Sequence, residues 1–554
     1  MSILFLWVAS ILMVMSWLLP NHYYPWVSFY NDFSAFLALI VLSGFFIFSQ
    51  GFPISATSLS LMVVACVPVV QWSFGKIFFL GDALIASSYL FGAALAVVSG
   101  RMVFFFLGAR AFECMAWIIL VGAILSCWVA LRQWLGFDGN IWVVDLSPGG
   151  RPYANLSQPN NLATLLCMSL VSILYLWERF RLGRFSAALV ALYLIVGVAI
   201  TQSRTPWLGA LCILVWWSCK AQRANMRLSV SWLTLWVGVY AVAVLALPYL
   251  ADALYLSAVN LVERAQALHR IELWRQLWMA ILHGGWWGYG WNQVSVAQIG
   301  VSLGHSVQLM SEHSHNIFLD ILIWNGPLLG GGVALLVLAH FSRLAWRIKT
   351  CEGVFALLVI GLVFLHGLLE FPLEYGFFLL PIGILLGMLE GEQSIPEVFV
   401  LPRWGSGSAL LVGVLVLGWV WHDYRLLEED HRLLRFESAR IGEVKAERIA
   451  PDVHLLTQLR EFLQFARTQA QPSMTADQLE WMRRVVYRYP YPPSLFRYSL
   501  ALALNGKPEL ARLELMRLQA LHGDALYQEA RQGMATISER YPQLESFWLV
   551  DHED

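Results

Sequence analysis

Charge is what this 554-residue chain has little of. Only 13% of its residues are Asp, Glu, Lys or Arg, about half the share of a soluble domain. With 58% hydrophobic residues and a mean hydropathy of +0.61, the composition excludes an ordinary soluble globular protein. The net charge of −1 supplies no basic surface, so no nucleic-acid partner is expected. Cysteine is sparse and unpatterned. Cys66, Cys114, Cys127, Cys167, Cys212, Cys219 and Cys351 fall in or beside apolar stretches without metal-ligand spacing, which argues against a disulfide framework and a zinc site. There is no P-loop and no G-x-G-x-x-G opening a helix after a strand, and no D-x-D in an external loop. No cofactor and no metal are expected. The terminal Asp551-His552-Glu553-Asp554 reads as an acidic end rather than a metal site. The first twenty residues lack a basic n-region and an A-x-A-like cleavage site, so they read as a retained first helix.

What is present is a succession of apolar runs long enough to cross a bilayer. Thirteen are read, near 3–19, 33–50, 58–75, 77–99, 114–131, 160–177, 185–201, 206–219, 229–250, 316–340, 353–370, 375–390 and 406–421. Arg101 with Arg110, Arg179 with Arg181 and Arg184, Lys220 with Arg223 and Arg227, and Arg343 with Arg347 and Lys349 form four basic loops on one side. The positive-inside rule makes that side cytoplasmic. The N-terminus is then cytoplasmic, and the loop at 251–315 and the tail from 422 onward are external. In a bacterium this means an inner-membrane protein with its long loop and tail in the periplasm. The expected fold is an all-α polytopic membrane protein, with a transmembrane domain at 1–421 and a small α-helical C-terminal domain at 422–554.

The long loop contains an amphipathic helix over Leu261 to Leu282, with Trp274, Trp278 and Leu282 at i, i+4 and i+8. Trp286, Trp287 and Trp291 follow in a Gly-rich turn. Such a helix suits the lipid–water interface as an anchoring belt, or lines a site there. The tail carries half of the chain's charges. Thr475 and Gln478 form a capping box, Asn505-Gly506 ends one helix, and Pro508 starts another. The hairpin at 492–521 is of tetratricopeptide type.

The chemistry concentrates in Glu312-His313-Ser314-His315-Asn316-Ile317-Phe318-Leu319, where the long loop re-enters the membrane. Ionisable groups are costly there, so their clustering marks a site. A histidine is the natural base near neutral pH, and the residues alone leave His313 and His315 both open. Arg204 lies in the external turn Ser203-Arg204-Thr205-Pro206-Trp207, and Pro206 disfavours helix at Thr205. Arg264, Arg270 and Arg275 lie in the long loop. Each offers a planar fork to phosphate oxygens, those of a substrate or of a lipid headgroup. Arg151, Tyr153, Asn155, Gln158, Asn160 and Asn161 make an amide-rich external loop that suits a sugar or phosphate cradle, or a set of helix caps. His366 and Glu370 share a helical face at i, i+4, with Glu370 at the external surface where Pro372 breaks the helix; a structural pair is the favoured reading.

These motifs together resemble the Wzy/WaaL superfamily of bacterial polytopic glycosyltransferases: O-antigen ligases, O-antigen polymerases and PglL-like protein O-oligosaccharyltransferases. The resemblance rests on Ser203 to Gly209, on Arg270 and Trp274 leading to Gly288-Tyr289-Gly290, and on His313 to Asn316 with Asn325-Gly326. It covers roughly 150–390. Pro20 to Trp26 with Phe29, and His366 to Leu380, resemble the protein-glycosylating branch. The resemblance implies a GT-C-like ligase core, with His315 favoured as the essential histidine because Asn316 directly follows it. It implies en bloc, metal-independent transfer of an oligosaccharide from undecaprenyl pyrophosphate to Ser or Thr of a periplasmic protein such as a pilin. Arg204 and Arg270 would stabilise the leaving pyrophosphate. Arg151, Arg275, Gln158, Asn160, Asn316 and Glu370 complete the expected donor site. The alternatives are transfer to lipid A-core by an O-antigen ligase, extension of the lipid-linked glycan by a polymerase, and a lipid-oligosaccharide transporter.

Overall fold

The computed structural model describes residues 2–20, 24–47, 51–137, 139–146, 149–256, 267–439 and 448–544. Arg264, the stretch 21–23 and the terminal acidic residues lie outside them. The chain is an all-α polytopic membrane protein. Its helices begin with α1 (Ser2–Leu18), α2 (Phe29–Ile47), α3 (Ala56–Ser73), α4 (Leu80–Leu107), α5 (Arg110–Trp134), α6 (Pro159–Glu178) and α7 (Arg184–Thr201). They continue with α8 (Thr205–Lys220), α9 (Val230–Ala253), α10 (Ala267–His283), α11 (Val294–Val301), α12 (Ile317–Arg347), α13 (Cys351–Gly367) and α14 (Gly376–Glu392). The last six are α15 (Arg403–Ser438), α16 (Thr457–Arg467), α17 (Ala476–Arg488), α18 (Pro492–Leu504), α19 (Pro508–His522) and α20 (Asp524–Ser538). Each predicted span is occupied by a helix. Among the described residues, nine helices are long and apolar enough to cross a membrane, and α1 and α13 are shorter apolar helices.

The chain folds into two compact units. The first comprises Met1–Ala65, Ser88–Leu261 and Leu338–Trp421. Its core buries Trp17, Phe112, Tyr175, Phe355, Phe377 and Phe378 completely. Gly100 of α4 and Gly387 of α14 lie against the carbonyls of Ile384 and Val97, so any side chain at either position would collide with backbone. Small residues of this kind let membrane helices approach closely. A two-stranded antiparallel ribbon, β1 (Phe52–Ser55) with β2 (Glu397–Leu401), is an addition the apolar pattern does not announce.

Three expectations need correction in this unit. Arg101 is not in a loop. α4 runs on to Leu107, and Arg101 is buried in it, its guanidinium 2.9 Å from Glu397 of β2; the partner carboxylate is what allows the charge inside. α8 starts at Thr205, because a proline in the first helical turn is favourable rather than disruptive. α13 ends at Gly367, a turn earlier than the pattern implied, so Glu370 is not on it. Glu370 is also buried at 4% exposure instead of standing at the surface.

The second unit comprises Cys66–Ser87, Val262–Val337 and His422–Asp554. One apolar core packs Phe79 and Ile299 with Leu479, Met482, Val485 and Leu495 of the tail helices. The capping box forms as expected: Gln478 N donates to Thr475 Oγ1, and Thr475 N to Gln478 Oε1. α18 and α19 make the expected hairpin. Within α12, Gly326 (φ 75°, ψ 172°) interrupts the helix and Pro327 restarts it.

Candidate active site

The segment 311–316 leads into α12 in the second unit. Ser314 is fully buried and bonded on every side. Its N–H donates to Asp320 Oδ1 at 2.8 Å, and its hydroxyl donates to Asn316 O at 2.8 Å. Its carbonyl accepts the Nε1–H of Trp274 at 2.8 Å. Asn316 caps α12 by accepting from Phe318 N and Leu319 N at 3.1 and 3.2 Å. Ser311 donates its hydroxyl to His313 O at 2.5 Å, and its own N–H goes to Gln298 Oε1 at 3.0 Å. Between these anchors His315 takes φ 57° and is half-buried. A non-glycine residue in this left-handed region is uncommon and persists where the surroundings over-determine it. The cluster read from the sequence is thus a pinned turn that presents two imidazoles.

The described part of the amphipathic helix is α10. Leu273, Leu277 and Ala280 are buried, whereas Trp278 and Leu282 are exposed at 52% and 63%. Arg270 is half-buried one turn before Trp274, on the side that reaches Ser314. Arg275 lines a cavity of about 560 Å³ with Trp274, Trp278, Glu272, His305 and Ser306. Of the three following tryptophans, Trp286 and Trp287 are exposed. Trp291 is buried, stacks on Trp324 at 4.6 Å and donates its ring N–H to Asn325 Oδ1 at 3.0 Å.

The first unit gathers the other predicted residues. Arg151 donates through Nε to Thr201 O at 2.9 Å and through its terminal nitrogen to Asn160 Oδ1 at 3.4 Å. Ser203 Oγ donates to the same Asn160 oxygen at 2.7 Å, and Asn160 Nδ2 donates to Glu370 Oε1 at 3.1 Å. Gln158 precedes α6 and donates to Asn161 Oδ1 at 3.5 Å. His366 is fully buried, with Nδ1 2.9 Å from Thr164 Oγ1. Arg204 follows Ser203 and stands exposed at the N-terminus of α8, where helix dipole and guanidinium both favour an anion. The amide-rich loop is therefore a bonded polar network running from Arg151 to Glu370.

Sequence reasoning misses several contributors. Asp320 fixes the Ser314 turn, and a carboxylate in the first turn of an apolar helix is its available signal. Asn31 donates from one amide to Ser16 O, Leu19 O and Asn155 O, and Asp32 accepts from Ser28 Oγ and Gly376 N, both at 2.7 Å. Those are isolated polar residues in apolar helices, and no motif singles them out.

Helices that cross a membrane, with a polar site where a loop re-enters, define a polytopic membrane enzyme. Residues 189–334 match the family model described as O-Antigen ligase. Residues 354–535 match the one described as virulence factor membrane-bound polymerase, C-terminal. The chain is 30% identical to a general O-oligosaccharyltransferase of Acinetobacter baylyi, over 97% of this chain and 96% of that protein. It is 27% identical to a ComP-specific O-oligosaccharyltransferase of the same organism, over 69% of this chain and 70% of that one. No solved structure matches. The chain belongs to the PglL-like O-oligosaccharyltransferases of the O-antigen ligase superfamily. It is a glycosyltransferase.

Proposed function

We propose that the protein transfers an oligosaccharide en bloc from undecaprenyl pyrophosphate to a serine or threonine hydroxyl of a periplasmic acceptor protein such as a pilin. In this reading it sits in the bacterial inner membrane with the His turn and the C-terminal helices facing the periplasm. The acceptor oxygen attacks C1 of the first sugar, the C1–O bond to the pyrophosphate breaks, and the hydroxyl proton passes to histidine. His315 is assigned that proton, with His313 beside it. Arg270, in the same unit, is assigned to the charge growing on the leaving pyrophosphate. On the first unit, Arg204 is given the same class of ligand, with Arg151, Gln158, Asn160 and Glu370 shaping its surroundings. Arg275 is assigned to glycan contact and Asn316 to holding the His turn. The chemistry as proposed uses no metal.

The observation that carries the reading is the pinned turn: buried Ser314, bonded through N–H, hydroxyl and carbonyl, fixes His315 beside the helix of Arg270. The full-length likeness to a general O-oligosaccharyltransferase supports a protein acceptor. A second reading, an O-antigen ligase acting on lipid A-core, is favoured by the match over 189–334; the match over 354–535 speaks for a polymerase. The acceptor separates them. Purified protein is incubated with the lipid-linked glycan and pilin-like proteins, without added metal, and the acceptors are weighed intact by mass spectrometry. A glycan-sized gain that disappears with His315→Ala supports protein glycosylation. Transfer to lipid A-core alone makes the protein a ligase, and lengthening of the lipid-linked glycan makes it a polymerase.

A further inference from the structure

Glu312 opens the His turn, yet the reaction gives it no role. Its carboxylate is held by the C-terminal helices. Arg488, the last residue of α17, places one terminal nitrogen 3.2 Å from Glu312 Oε2, and the Tyr491 hydroxyl donates to Glu312 Oε1 at 2.6 Å. The same guanidinium turns its other edge to Asp82, with Nε 3.2 Å from both carboxylate oxygens and the second terminal nitrogen 3.1 Å from Oδ1. Ser295 Oγ fixes the Arg488 carbonyl at 2.9 Å. Arg488 is 8% exposed and Asp82 2%. All of these residues belong to the second unit.

The electrostatics agree with the geometry. Burial alone would push the Glu312 carboxyl up, but the Arg488 charge and the Tyr491 hydrogen bond outweigh it and hold it below the ordinary value. Burial would likewise lower Arg488, and the carboxylate of Asp82, with Tyr489 and Glu312, keeps it firmly charged. Two buried charges and a half-buried third are a poor way to gain stability, since desolvation consumes much of the attraction. Their use is geometric. A guanidinium has donors on two edges in a rigid fork, so it can hold two carboxylates at a fixed separation, which an ammonium cannot. Glu312 adjoins His313, and the hydrogen bonds of Ser311 and Ser314 join 311–316 into one bonded turn. A second tether supports the first: Gln308 N and Ser306 Oγ both donate to Ala520 O of α19 at 2.9 Å.

We propose that Arg488 is a positioning residue, through which the C-terminal helices hold Glu312 and thereby set the place of His313 and His315. This rests on the reading that the His turn performs the transfer. The C-terminal domain is then part of how the site is built, independent of any acceptor it docks.

The test uses the full chain in lipid nanodiscs with undecaprenyl-pyrophosphate-linked glycan and a purified pilin-like acceptor. Arg488→Lys keeps the charge but cannot bridge both carboxylates. Its kcat falls about 100-fold, the scale of an ångström-sized misplacement, while KM for the acceptor stays nearly constant. Hydrogen exchange quickens in a peptide covering 311–316 and not across the tail. Glu312→Gln gives the same signature, and the double variant is no slower than the worse single one, because both act through one contact. If Arg488→Lys does not fold, Tyr491→Phe decides, since it removes a single hydroxyl and shifts kcat and exchange in the same directions. Unchanged kcat per folded molecule, with only a lower unfolding temperature, overturns the proposal. His315→Ala separates the two failures. If that variant is inactive while Arg488→Lys keeps full kcat, only the positioning role is lost. If His315→Ala and His313→Ala both transfer normally, the His turn is not the site.

Discussion

Asn160 and Glu370 stand 210 residues apart in sequence, and the amide of one meets the buried carboxylate of the other at 3.1 Å. The same Asn160 oxygen accepts from Ser203 at 2.7 Å and from Arg151 at 3.4 Å. Asn160→Ala removes this donor and this acceptor together, and losing hydrogen bonds to a buried charged group costs about 1–3 kcal/mol or more. Asn160→Asp should be worse, because it sets a second carboxylate against Glu370. Thermal unfolding of the detergent-solubilised variants checks the order: wild type highest, then Ala, then Asp.

The two histidines of the pinned turn should differ in their effect. Removing a general base slows a reaction by about 100- to 10,000-fold. His315→Ala should lose that much transfer at normal protein yield, whereas His313→Ala should lose less. Single-turnover transfer of the glycan, normalised to folded protein, measures both. Equal losses would mean that the pair acts as a unit.

Gly326 should tolerate no side chain. Its φ is +75°, and a Cβ there would run into the backbone of Trp286 and Gly288. With ψ at 172° this is backbone essentially reserved for glycine, which costs an L-residue about 1–3 kcal/mol, and the collision adds to it. Gly326→Ala should therefore lower the folded yield and the unfolding temperature sharply. Gly331→Ala, a few residues on in the same helix, has open space before it and should behave like wild type.

Part of the tail's stability should be lost on acidification through the imidazole of His522. His522 ends α19, its Nε2 2.7 Å from Pro490 O. Burial pushes its pKa below the ordinary 6.5, and the Pro490 carbonyl offsets only part of that. The folded state thus favours the neutral ring. The contribution is fully present above pH 6.5 and is lost as pH falls through the lower folded value. His522→Gln should flatten the slope of unfolding temperature against pH below 6.5. An unchanged slope in that variant would place the dependence on another group.

Much of the architecture is legible because each span announces itself locally. An apolar run of sufficient length needs no knowledge of its partners, and the capping box at Thr475 and the Asn505-Gly506 stop are equally local. The errors fall where a residue's state depends on a distant partner. Arg101 reads as a loop cation because its carboxylate, Glu397, lies 296 residues away. Glu370 reads as a surface residue for the same reason, its amide partner being Asn160. The His turn is visible as a cluster, but its lock through Asp320 and Trp274 is not, and neither is the grip of Arg488 on Glu312, 176 residues apart. β1 and β2 are too short, and too far apart, for alternation to reveal their pairing.

The tether from Ser306 and Gln308 to Ala520 also has a meaning in time. A ribosome adds about 5–20 residues per second, so roughly 10 to 40 seconds pass between the emergence of His315 and that of Ala520. During that interval the membrane helices can already be inserted, while the turn that bears the histidines still lacks its anchor. On the proposed role of that anchor, a newborn chain is silent until α19 has been made, and a message broken before Ala520 should yield a membrane protein that is inserted but inert.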